Sequence, residues 1–137
     1  MMAVPERSKK ATPTILLIDP DAEVREVLRL CLHDFGGWNV IPAMSTQEGL
    51  QKLATEHLDA ILLDLSIPEE TDGLQLIQTL RAHPLGRSIP IILITASARW
   101  FNSHQIRAMG AMGAIAKPFN PLTLPQQLAQ LLHWTIK

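Results

Sequence analysis

Four polar residues each stand directly after a short apolar run. They are Asp19 after Thr14–Ile18, Asp64 after Ala60–Leu63, Thr95 after Ile89–Ile94 and Lys117 after Gly113–Ala116. A continuous apolar run that ends in a polar group is the pattern of a strand buried on both faces of a parallel sheet, where it emerges at its carboxyl end. In open α/β sheets, ligands bind just beyond that end. One Asp in such a place merely starts a turn about as often as it does chemistry. Four such residues, with Asp21 close to Asp19, describe a pocket of carboxylates, one hydroxyl and one ammonium.

Two carboxylates about 5 Å apart repel by roughly 3 kcal/mol at an effective dielectric of 20. Either one of them takes up a proton or a cation enters. A hard cation held by oxygen ligands and kept partly hydrated suits Mg²⁺. Lys117 and the Thr95 hydroxyl are suited to hold phosphoryl oxygens. Asp64 is the natural nucleophile, since a carboxylate can form an acyl phosphate.

The elements that must position these groups follow from the patterning. Thr14–Ile18 is the first predicted strand, followed by the turn Asp19-Pro20-Asp21. Val24, Val27, Leu28, Cys31, Leu32 and Phe35 fall on one face of a first helix, opposite Glu23, Arg25, Glu26 and Arg29, and Gly36-Gly37 stops it. Trp38–Ile41 is a second strand. Ser45 to Glu48 is a capping-box match that opens a second helix, with Leu50, Leu53 and Ala54 inward. Asp59–Leu63 is the third strand. Asp72-Gly73 opens a third helix through Leu74, Ile77 and Leu80, which ends before His83-Pro84. Ile89–Ile94 is the fourth strand, and a weaker fourth helix runs from Arg99 to Met109. Gly113–Ala116 is the fifth strand. Thr123 to Gln126 is a second capping-box match, with Pro125 in the first turn and Leu124, Leu128, Leu131 and Leu132 inward. Five strands alternating with five helices give an α/β doubly wound parallel sheet, flavodoxin-like order 2-1-3-4-5, with helices on both faces.

The bulk figures narrow the function. At 137 residues one domain is expected, and 47% hydrophobic content supplies one real core. A formal charge of −1 without a basic block argues against nucleic-acid binding. The single cysteine, Cys31, permits neither an intramolecular disulfide nor a cysteine-rich zinc site, and reads as a core thiol. No apolar run approaches a membrane span, and the polar segment 1–12 lacks a signal core; it reads as a disordered leader to a cytoplasmic domain over 13–137. The five histidines have no metal-like spacing. Trp100, Phe101 and Trp134 are candidates either for core packing or for an exposed docking face.

With these residues laid out, the chain resembles a response-regulator receiver domain, the phosphoacceptor of two-component signalling. The resemblance runs from Thr14 to the last helix and rests on Asp64-x-x-x-Pro68 followed by Asp72-Gly73, on Lys117-Pro118-Phe119, and on Thr95-Ala96. It implies that Asp64 is phosphorylated by a sensor histidine kinase, a histidine phosphotransfer protein or a small phosphodonor. It implies Mg²⁺ held by Asp19, Asp64 and the backbone carbonyl of Ser66, with Asp21 as a further candidate. Thr95, Ala96 and Lys117 would contact the phosphoryl group. The signal would pass to a downstream protein through the face of the fourth helix, fifth strand and fifth helix. With no further domain after that helix, a stand-alone receiver is expected, and not an enzyme in its own right.

Three departures from the family pattern bear on this. Pro20 stands where a second adjacent acid is usual, which predicts a weakened Mg²⁺ site. The segment from Pro68 to Gly73 is one residue longer than usual. Ala114 stands at the aromatic switch position, three before the lysine. Two other functions compete. A degenerate receiver would bind partners without phosphate, as Pro20 and Ala114 suggest. A haloacid-dehalogenase-like phosphatase would use Asp19 as nucleophile and Asp21 as acid/base.

Overall fold

Alternation in the strands builds two cores at once. The computed structural model describes residues 12–65, 70–96 and 101–135. Its five parallel strands are β1 (Thr14–Ile18), β2 (Asn39–Ala43), β3 (Ala60–Asp64), β4 (Ile91–Thr95) and β5 (Gly113–Ala116), in the order β2-β1-β3-β4-β5. The helices are α1 (Ala22–Asp34), α2 (Thr46–Thr55), α3 (Glu70–Ala82), α4 (Ser103–Ala108) and α5 (Leu124–Leu132). Successive strand side chains point to opposite faces. Ile15, Leu17, Leu62, Ile92 and Ile115 therefore pack with Leu28 and Leu32 of α1 and Leu128 and Leu132 of α5. Leu16, Ile18, Ile61, Leu63 and Leu93 pack with Leu53 of α2, Ile77 and Leu80 of α3 and Ile106 of α4. The expected doubly wound sheet is present, strand order included.

The local chemistry explains the helix ends. Asp21 caps α1, its Oδ1 accepting from the N–H groups of Glu23 at 2.9 Å and Val24 at 3.2 Å. Gly37, at φ +75°, turns the chain out after α1 into a conformation that side chains resist. At α2 the Ser45 hydroxyl accepts from Glu48 N–H, while Glu48 reaches back to the N–H of Met44 at 2.7 Å. That is one residue beyond the reciprocal bond of a capping box. Gly49 lets α2 lie close to β1, since a Cβ there would stand 2.6 Å from Ile18 Cδ1.

Several expectations are corrected. Val27 on α1 and Phe35 at its C-cap lie 46% and 52% exposed, so the buried stripe is narrower than the apolar pattern. Ala54 is exposed as well. β2, β3 and β4 begin one or two residues later than expected, and α3 starts at Glu70, ahead of Asp72-Gly73. α4 spans only Ser103–Ala108, opened by a true capping box between Asn102 and Gln105. Arg99 and Trp100 lie outside the described residues. Thr123 sits at the N-cap of α5 but makes no side-chain cap, because its φ −104°, ψ −10° is helical rather than extended. Trp134 packs edge-on against buried Trp38, with centroids 5.3 Å apart, on the α1–α5 side. Residues 1–11 of the expected leader lie outside the described residues.

Candidate functional site

The carboxyl edge of the sheet gathers the site from four strands. Asp19 directly follows β1, and its N–H continues the ladder to the Ala43 carbonyl at 3.0 Å. Its carboxylate is curled into the turn, where Oδ1 accepts the Asp21 N–H at 2.9 Å. Asp64 is the last residue of β3, in register with Ile94, so Thr95 ends the neighbouring strand one step further on. Lys117 follows β5, and its N–H is tied to the Thr95 carbonyl at 3.0 Å. Asp19, Asp64 and Thr95 are 0%, 2% and 2% exposed, which makes them the buried polar side chains among the described residues. Buried strands deliver them by geometry: each polar group is the first after a run that cannot leave the core.

Charge is unequally shared within this pocket. Lys117 Nζ donates to Asp64 Oδ2 at 2.7 Å and stands 3.6 Å from Asp19 Oδ2. The first is a charge-assisted hydrogen bond; the second is an ion-pair contact too long for one. Ionised Asp19 thus keeps a buried Oδ2 with no hydrogen-bond partner among the described residues. Burial pushes the Asp19 carboxyl above its ordinary range, and Asp64 adds to this by its charge and by bonding the protonated form. The Asp21 N–H and Lys117 oppose that rise. An orphaned buried carboxylate oxygen beside a second carboxylate suits a hard cation, so the donor set fits Mg²⁺. Among the described residues no three His, Cys, Asp or Glu side chains group as ligands, so backbone oxygens and water would complete such a site.

Asp21 points its Oδ1 into the start of α1. Ala96 lines a hollow of about 390 Å³ beside Lys117, together with Val24, Pro118 and Phe119. The Lys117–Pro118 peptide is cis. Ala114 pairs with Leu93 and packs half-buried against the core on the α2–α3–α4 side. Ser66 and Pro68 lie outside the described residues.

One contact escaped the sequence reading. Arg25, assigned to the solvent face of α1, donates from Nη1 to the Asp19 carbonyl at 2.7 Å. Its backbone N–H also bonds the Asp21 carbonyl at 2.9 Å. The available signal was distance along the chain: a long cation in the first helical turn can reach back to the strand end that precedes the cap.

The profile of the response regulator receiver domain matches residues 15–129. The phosphate regulon transcriptional regulatory protein PhoB of Pseudomonas aeruginosa is 34% identical over 122 residues, covering 89% of this chain and 52% of that protein. The chain thus spans about half the length of this curated relative, and 56% of the probable C4-dicarboxylate response regulator DctR of Priestia megaterium. The chemotaxis response regulator CheY4 of Vibrio cholerae superposes with a TM-score of 0.78 at 26% identity, covering 88% of this chain and 99% of that one. The receiver domain of a Pseudomonas aeruginosa sensor histidine kinase, solved with a magnesium ion coordinated in its active-site cleft, gives 0.75 at 27% identity and covers 90% and 99%. Among the described residues no helix is long and apolar enough to cross a membrane. By the matched profile and these relatives, the chain belongs to the response regulator receiver domain family of two-component signalling.

Proposed function

We propose that this receiver takes a phosphoryl group on Asp64, from a phosphohistidine of a sensor histidine kinase or histidine phosphotransfer protein. The observation that carries this reading is the buried Asp64 carboxylate, held 2.7 Å from Lys117 beside the orphaned oxygen of Asp19. An Asp64 oxygen attacks phosphorus, the P–N bond breaks, and its electron pair returns to the imidazole. Lys117 balances charge on Asp64 at rest and on the phosphoryl oxygens afterwards, with the Thr95 hydroxyl and the Ala96 backbone as further contacts. Asp19, Asp64 and the Ser66 carbonyl would hold Mg²⁺, which supplies charge neutralisation as phosphorus approaches two carboxylates. Asp21 is spoken for by its capping bonds. The output goes to a downstream protein through the face of α4, β5 and α5. With Ala114 in β5 there is no ring to swing inward, so the change travels through backbone and α4.

The test is intact mass after incubation with acetyl phosphate and Mg²⁺. We expect one phosphoryl group on the wild type and none on Asp64→Asn. Label that persists in Asp64→Asn but disappears in Asp19→Asn would move the acceptor to Asp19. No label on either protein would favour a phosphate-independent binding module, the reading that Pro20 and Ala114 support.

Pro20 sets the strength of the metal site. It brings no carboxylate and no N–H, and its ring fixes φ near −65°. The expected outcome is that Pro20→Asp tightens Mg²⁺ binding, measured by calorimetry. Equal affinity would mean that another group already fills the position.

A further inference from the structure

The amino end of the sheet, at the roots of β4 and β5, is built from positive charge. A cavity of about 530 Å³ there is lined by Arg81, Arg87, Arg107 and Ser88, with Ile89 and Met112 among its apolar walls. Among the described residues no carboxylate lines it. Arg81, in the last turn of α3, cannot swing away to find one. Its Nη1 donates to the carbonyls of Gly86 and Ile89, both at 2.8 Å, and its Nε and Nη2 donate to Gly110 at 3.2 and 2.8 Å. None of the three arginines takes part in the ion pairs found among the described residues. The partial negative charge at a helix C-terminus is about half an elementary charge. The ends of α3 and α4 therefore offset about one of three positive charges. In a chain of net charge −1, this concavity is an outlier.

We propose that this cleft binds a small ligand bearing a diphosphate group. Guanidinium forks match phosphate oxygens two at a time, and a diphosphate carries the charge needed to balance the surplus. The volume lies within the range of small-molecule sites. Arg87 and Arg107, both exposed, are the grip; Arg81 is fixed charge at the cleft wall. Ile89 and Met112 offer an apolar surface to an organic substituent. The ligand chemistry has two sources, inorganic pyrophosphate and a nucleoside diphosphate. The site lies at the opposite end of the strands from Asp64, and the inference does not depend on phosphorylation there.

The experiment is amide-shift NMR of the whole chain, titrated with inorganic pyrophosphate and separately with ADP, without Mg²⁺. We expect saturable shifts at Arg87, Ser88, Ala111 and Met112. Tighter binding of ADP would assign the apolar wall to the organic part; equal binding would assign the site to the diphosphate alone. The double variant Arg87→Gln/Arg107→Gln, at two exposed positions, should weaken binding about tenfold or more. Shifts confined to the Asp64–Lys117 end, shifts reproduced by sodium chloride at equal ionic strength, or unchanged affinity in the double variant would overturn the proposal.

Discussion

The two ends of this sheet handle charge in opposite ways. At the carboxyl end, Asp19 and Asp64 share one ammonium, and the Asp19 Oδ2 has no hydrogen-bond partner among the described residues. At the amino end, the Arg81 guanidinium meets the carbonyls of Gly86, Ile89 and Gly110 and is satisfied by backbone alone. A charge whose hydrogen bonds are complete acts as a rivet between segments. A charge left short of partners costs free energy until something else supplies them. The contrast separates a charge fixed by backbone carbonyls from one left open to a cation.

The largest effect should come from the satisfied end. Arg81 joins α3 to the loop before β4 and to the turn before β5. Arg81→Ala leaves several half-buried carbonyls without their donor. A loss of about 3 kcal/mol or more is expected, read as a lower urea midpoint. Arg81→Lys should recover only part of it, since one ammonium cannot reproduce a planar fork. A near-neutral Arg81→Ala would break the comparison, because the rivet would then hold nothing.

At the other end the sign reverses. The Asp19 carboxyl titrates above its ordinary value in the fold, chiefly through burial. Between the unfolded and folded values the native state binds the extra proton, so stability falls as pH rises through that window. Asp19 is therefore a cost at neutral pH without a cation. Asp19→Asn should stabilise the Mg²⁺-free protein by about 1–3 kcal/mol at pH 7. The gain should vanish below the ordinary carboxyl range, where the wild type is already protonated. Thermal melts across pH, without and with Mg²⁺, would show it. A variant less stable than wild type at pH 7 would mean that the ionised Asp19 is already well paired.

How far the sequence carried is uneven along the chain, for physical reasons. The five strands and their order were legible because buried parallel strands are continuous apolar runs, and right-handed crossovers leave few topologies. That Asp64 and Lys117 both emerge at the carboxyl edge was legible for the same reason: each is the residue that leaves the core next. The width of the α1 stripe was not. Val27 and Phe35 are apolar, but a helix over a twisted sheet covers only part of its surface, and nothing in composition says where cover stops. The capping-box match at Thr123 matched in type but failed in backbone conformation, which only the structure fixes. The arginine cleft was invisible because Arg81, Arg87 and Arg107 are spread over two helix ends and one loop.

The smallest effect tests whether the poised end is held in place from outside. Arg25 donates to the Asp19 carbonyl at 2.7 Å, and Asp21 both bonds the Asp19 carboxylate and caps the helix that carries Arg25. These contacts close a small ring around Pro20, so the direction of the Asp19 carboxylate is set by Arg25 at one remove. Arg25 touches no reacting atom; it is a positioning residue. Removing its head group frees the turn, and the two carboxylates must then be ordered when a cation binds. Outer-shell partners of this kind alter metal affinity by about tenfold at the low end. We expect Arg25→Gln to weaken Mg²⁺ binding by about that factor in a calorimetric titration, with Arg25→Lys partly restoring it through the same carbonyl. A merely structural role would lower the melting temperature in Arg25→Gln while Mg²⁺ affinity stayed constant, and that outcome would leave the Asp19 carboxylate positioned by the strand end alone.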